Sequence, residues 1–220
     1  MIYNVHNRAR DQVCLIPHLN GLGDKLGGRL PKKIIADAAY GSEENYAYLE
    51  KHRVENFLKY DTFYKETHHY RGLEVLQAYQ FRAENFGYDS DADQFICPAN
   101  RCSHFQYISR YTTDNGYVIT GVNYTCHDCT ACSLRSRRTK GNHSIRVSFQ
   151  LLEYRKQARN NLTSPKGGRL RAARLTEEDT AFGQIKYNLG FYRFHLRGLE
   201  KVNADWGLVS MAHNMQKLTA

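Results

Sequence analysis

The sequence predicts a mixed α/β fold that carries a β-rich, cysteine-containing insertion and ends in helices. Three observations predict it. Ile34-Ile35-Ala36-Asp37 and Asn56-Phe57-Leu58-Lys59-Tyr60 are short apolar runs on either side of a helical pattern, as in a parallel βαβ unit. Residues 61–147 turn aromatic and polar, hold five of the six Cys, and contain the hairpin signal Asp114-Asn115-Gly116. From Phe149 onward apolar residues recur at helical spacing. The expected organisation is a partial core over residues 1–60, the insertion over 61–147, and a helical part over 148–220 that completes the core.

Taken in order, Met1 to Val5 reads as the tail of a strand. Leu15, Ile16, Leu19, Leu22 and Leu26 fall at helical spacing, with Pro17 confined to the first turn. The Ile34–Asp37 run is a buried strand with a carboxylate at its end. Burying such an acid is costly unless a metal or a cation compensates it, and sites in open α/β sheets form at strand ends. Read alone, Asp37 equally suits a turn cap. Ser42 is an N-cap for a helix beginning at Glu43 and Glu44, with Tyr46 and Leu49 turned inward. In the insertion, Tyr107–Tyr111 and Tyr117–Tyr124 alternate around an Asn-Gly turn of type I′. Helices follow at Phe149–Asn160, Glu177–Leu189 and Leu199–Leu218. The last carries a stripe of Leu199, Val202, Trp206, Val209 and His213, with Leu208, Met211 and Met215 widening it. His213 reads there as a satisfied structural histidine.

The 220 residues carry a net charge of +9, unevenly spread. Between Ser133 and Arg174 stand twelve basic residues and one acid, Glu153, so the remainder is slightly acidic. A basic block of that density suits a polyanion held by its phosphates, or a solvated loop. No apolar run approaches the ~20 residues of a membrane span, and no secretory signal pattern opens the chain. The expected location is therefore cytoplasmic, with no membrane partner.

Cys126-x2-Cys129-x2-Cys132, with Cys97 upstream, has the spacing of a structural zinc site of four thiolates. A ribbon-like set of Cys97, Cys102, Cys126 and Cys129 competes with it. An iron–sulfur cluster and plain reduced thiols are the remaining readings.

Glu177, Glu178 and Asp179 head the predicted distal helix, where the helix dipole favours acids. Asp179 shares a face with Lys186, seven residues on, whereas Glu178 stands four after Arg174. Carboxylates and cations on one face suit a site for a metal and a phosphate; the plain alternative is a capped helix with surface ion pairs.

The segments Ala36–Tyr46, Cys97-Pro98, Cys126/Cys129/Cys132, Phe182–Lys186, Arg193-Phe194, Arg197–Leu199 and Ala212–Asn214 together resemble the carboxyl-terminal half of bacterial insertion-sequence DDE transposases. The resemblance implies a partial ribonuclease-H-like core in which carboxylates hold Mg2+ or Mn2+ for DNA strand cleavage and strand transfer. It makes Asp37 the second carboxylate, and Asp179 or Glu178 the third. Lys186, Arg174, Arg171 and Arg193 become contacts to double-stranded DNA, both transposon ends and target. It implies association with the bacterial nucleoid and a homo-oligomer in the intact enzyme. The first carboxylate of such enzymes lies upstream of the segment matching Met1–Val5, and only Asp11 and Asp24 precede Asp37 here. A fragment inactive on its own is therefore expected. Competing readings are a non-catalytic, zinc-dependent DNA-binding protein and a metal-dependent nuclease without strand transfer.

Overall fold

The structure is a computed structural model. It describes residues 3–67, 81–127, 129, 132 and 143–219, without the side chains of residues 175, 177–179 and 219. The basic residues Arg135, Arg137, Arg138 and Lys140 lie outside the described residues. The chain divides into two compact units, Met1–Asp61 with Gln157–Ala220, and Thr62–Lys156.

In the first unit, α1 (Leu15–Lys25) precedes β1 (Lys33–Ala36), α2 (Glu43–Lys51) and β2 (Glu55–Leu58). β1 and β2 pair in parallel, with Lys33 opposite Glu55 and Ala36 opposite Leu58, as the two apolar runs predict. Ser42 caps α2 by accepting from the Asn45 amide, and Tyr46 and Leu49 are buried beneath it. β2 is buried at Asn56, Phe57 and Leu58, while Ile34 and Ile35 of β1 are half-buried. Among the described residues the other edge of β1 carries no strand. Tyr3 to Val5 adopt no regular structure, contrary to the strand expected there. Tyr3 instead lies along α6 (Leu199–Thr219), where its hydroxyl donates to the Asn203 carbonyl at 3.4 Å.

The second unit contains a short α3 (Phe63–Thr67) and a five-stranded antiparallel sheet in simple meander order. Its strands are β3 (Gly87–Asp89), β4 (Gln94–Ile96), β5 (Cys102–Thr112), β6 (Val118–Cys126) and β7 (His143–Val147). Phe86, Phe95, Tyr124, Ile145 and Val147 form its core, with Cys97 and Leu152 packed against them. The β5–β6 turn is not type I′: the Gly116 amide bonds the Thr113 carbonyl, and Gly116 alone takes positive φ (87°). That is a type I turn closed by a left-handed glycine, which moves the glycine one place past the turn centre.

Helix α4 (Phe149–Thr163) is followed after one residue by α5 (Pro165–Gly183). The sequence reading starts this distal helix at Glu177, twelve residues late. Ser164 caps it by accepting from the Gly167 amide, and Pro165 takes the first turn. Gly167 suits the sharp α4–α5 corner, since a Cβ there would stand 2.1 Å from the Asn161 carbonyl oxygen. Much of the basic block is thus helical surface. After Gly183 the helix widens into a π turn, Gln184–Asn188.

Candidate functional site

Asp37 immediately follows β1. In the parallel register Lys59 immediately follows the partner of Ala36, so the two residues stand side by side at one end of the sheet. The Lys59 ammonium lies 3.9 Å from Asp37 Oδ1, and the same oxygen accepts from the Ala38 amide at 2.8 Å. Asp37 therefore caps the short turn Ala38–Tyr40. Gly41 ends that turn against β2, where a Cβ would meet the Lys59 carbonyl oxygen at 2.2 Å and Tyr60 Cα at 2.8 Å. Asn45, fully buried, donates to the carbonyls of Tyr40 (2.8 Å) and Gln12 (2.9 Å) and fixes the turn from the other side. The glycine at position 41 is thus explained by the close approach of turn and chain.

The distal helix reaches this point from the opposite end of the sheet. Asn161 on α4 donates to the Asn56 carbonyl at 2.9 Å. On α5, Lys166 pairs with Glu55 at the start of β2, while Arg174 lies 3.7 Å from Asp37 Oδ2 at the end of β1. Eight helical residues advance about 12 Å, close to the length of a four-residue strand. α5 therefore runs alongside the strands and in their direction. Asp37 is 55% exposed, whereas Lys59 (18%) and Arg174 (16%) are mostly covered, so the carboxylate is reachable and its two cations are held in place.

Of the residues predicted for the site, Asp37 and Arg174 come together. Arg171 is half-buried on α5, one turn before Arg174, and Lys186 and Arg193 are exposed. The side chains of Glu178 and Asp179 lie outside the described residues. The face expected to join Asp179 and Lys186 is not continuous α-helix. Lys186 sits in the π turn, whose Leu189 amide bonds the Gln184 carbonyl five residues back. That turn winds less per residue, so Lys186 lags behind the α-helical stripe. Sequence reading missed Lys59, whose signal was its place one residue beyond an aligned strand, and it missed the Asn45 brace.

Among the described residues no three His, Cys, Asp or Glu side chains are grouped to hold a metal. None of the six cysteines is in a disulfide, and among the described residues the expected Cys97, Cys126, Cys129 and Cys132 are not grouped as a metal site. The β5 strand lies between Cys97 and Cys126 and separates them.

The transposase DDE domain family matches residues 96–219, more than half of the chain. The chain belongs to this family. The family match takes in the β4–β7 sheet from Ile96, its cysteines, and helices α4, α5 and α6 with Arg174, Glu178 and Asp179, whereas Asp37 and Lys59 precede it. No curated protein and no solved structure matches the chain. Among the described residues no helix is long and apolar enough to cross a membrane.

Proposed function

We propose that the chain acts in DNA transposition on double-stranded DNA, through a partial ribonuclease-H-like core in which Asp37 and Glu178 are two of the carboxylates that hold divalent cations. The supporting observation is the run of α5 along the parallel sheet, which brings Arg174 to Asp37. Position 178 is one turn further along the Arg174 stripe, just past the strand ends, whereas position 179 is rotated about 140° from Arg174. The exposed oxygens of Asp37 are hard donors of the kind Mg2+ and Mn2+ take. Bound there, such ions would activate water or a 3′ hydroxyl for attack on a phosphate.

Lys59 and Arg174 hold the Asp37 carboxylate in one orientation, and Arg171 and Lys186 supply charge for the DNA backbone. In the order of the chain, the Thr62–Lys156 unit is an insertion between the two segments of the other unit. Iron(II) with ascorbate and peroxide cuts peptide backbone next to its ligands. Cuts are expected at residues 37 and 178, lost in Asp37→Asn and Glu178→Gln and kept in Asp179→Asn. Cuts that survive Asp37→Asn would overturn the assignment.

A second reading, a non-catalytic DNA-binding protein organised by a zinc-bearing module, draws support from Lys59 and Arg174, which already neutralise Asp37. Under it Asp37→Ala changes neither iron cutting nor duplex binding. Both readings require duplex affinity to fall with rising salt.

A further inference from the structure

The antiparallel sheet has two faces of different character. Along β6, Val122 and Tyr124 pack into the core, so the alternate residues Gly121 and Asn123 belong to the outer face. The register carries that face onto both neighbouring strands. Tyr107 on β5 and Arg146 on β7 are the partners of Asn123, and Ser109 on β5 is the partner of Gly121. Tyr111, two residues beyond Ser109, stands on the same face. Tyr107 is 61% exposed and Tyr111 45% exposed, and Arg146 is exposed as well.

These side chains are arranged by their neighbours. The Arg146 guanidinium lies over the Tyr111 ring, 4.5 Å from its centroid, so the arginine stem crosses β6 on its way from β7 to β5. Gly121 leaves that path open, since a Cβ there would stand 2.9 Å from both Cγ and Cδ of Arg146. Asn123 donates to Ser109 Oγ at 2.9 Å and to the Tyr107 carbonyl at 3.3 Å, which braces β5 against β6 between the two tyrosines. β5, β6 and β7 contain no Asp or Glu. An acid that shares the outer face, Asp89 on β3, lies two strands from β5 and already accepts from the Asp91 and Ala92 amides.

We propose that this outer face binds a single DNA strand, with bases stacked on Tyr107 and Tyr111 and a phosphate held by Arg146. Exposed rings on a sheet beside a cation without a competing acid are complementary to unpaired bases and their backbone. Four residues along β5 separate the two rings by about 13 Å, so they take separate bases. Paired bases keep their faces stacked on one another, so the surface selects unpaired DNA. Stacking tolerates any base, and little sequence preference is expected. The proposal rests on the DNA reading above for the identity of the polymer, and is independent of the chemistry at Asp37.

The test uses the full chain with a fluorescent oligothymidylate, and a mixed-sequence duplex beside it. Tyr107→Ala and Tyr111→Ala should each weaken single-strand binding roughly 5- to 150-fold and leave duplex binding at the parental value. Tyr107→Phe keeps the ring and should bind like the parent. Arg146→Ala should lower the log–log salt slope for the single strand by about 0.7, the value of one phosphate contact. Photo-crosslinking of an iodouracil-substituted strand to the unmutated chain should mark Tyr107 or Tyr111, which places the strand even if a variant fails to fold. Unchanged single-strand affinity in both alanine variants, equal losses on single strand and duplex, or crosslinks confined to other residues overturn the proposal. A chain that binds duplex but no single strand overturns this proposal alone, whereas one that binds neither overturns the DNA reading with it.

Discussion

The contact between Asp37 and Arg174 joins an early strand to a late helix, and its energy can be measured. Two unit charges 3.7 Å apart attract by about 4.5 kcal/mol at an effective dielectric constant of about 20. The Asp37 side chain is 55% exposed, and pairs open to water retain about 0.2–1 kcal/mol after screening and side-chain ordering. The expected coupling is therefore about 0.5–1 kcal/mol in low salt, and less as added salt shortens the screening length.

A cycle of Asp37→Ala, Arg174→Ala and the double variant isolates that coupling. The Asp37–Lys59 contact is lost in both members that lack Asp37 and cancels. The single tryptophan, Trp206, lies in the same compact unit as both residues. Its fluorescence during urea unfolding thus reports on that unit. The transition midpoints should show non-additivity of the stated size, with the slope unchanged. Strict additivity in low salt would refute the docking of α5 at the end of β1. The placement of position 178 would then fall with it.

Other consequences follow from the same geometry. Gly41→Ala drives a Cβ into the Lys59 carbonyl and Tyr60 Cα; overpacking of this kind costs about 1–3 kcal/mol, and each kcal/mol lowers the melting temperature by roughly 2–4 °C. A variant melting with the parent would show that the turn does not touch β2. Asn45→Ala removes two hydrogen bonds from a buried side chain to the half-buried carbonyls of Gln12 and Tyr40 and should cost about 1–3 kcal/mol, read from the same unfolding curves. His213 is buried, and neither ring nitrogen has a hydrogen-bond partner among the described residues. Burial first, then Lys217 and the terminal amine, lowers its pKa below the ordinary value. The unfolded chain therefore binds this proton more tightly. The stability it contributes is fully present above about pH 6.5 and is lost as pH falls through the folded value. Melting temperature should drop from pH 7 to pH 5 and drop less in His213→Leu. Equal slopes in the two proteins would refute the assignment.

What was legible in the sequence was local. The β1, α2 and β2 elements follow from run length, a Ser42 cap and an apolar spacing that the tertiary structure does not override. The start of α5 was equally local but was masked by composition, because two glycines and a row of cations outweighed Ser164-Pro165, the stronger physical signal. His213 shows the opposite error. Its place on an apolar stripe predicts burial, and it is buried, but the pattern could not reveal whether neighbouring elements supply a hydrogen bond. Lys59, Arg174 and Asn45 converge on the Asp37 turn from three separate segments, and no periodicity within one segment encodes that meeting.

The choice between Glu178 and Asp179 turns on the π turn. Counted back from Lys186, the family resemblance puts the acid at Asp179; counted forward from Arg174, it falls on Glu178. The two counts differ by one residue, and one is the number that a π turn adds to an α-helix. Gln184–Asn188 lies between the acids and the end of the helical run, and Lys186 is within it. A count that starts at Lys186 crosses the extra residue, whereas a count that starts at Arg174 stays within unbroken α-helix. The physical register therefore favours position 178, and it keeps a Glu in the role where the other count requires an acid one methylene shorter. Deleting one residue from the π turn should move Lys186 back onto the α-helical stripe and leave iron cutting at residues 37 and 178 in place. A shift of the distal cut to residue 179 would refute this register.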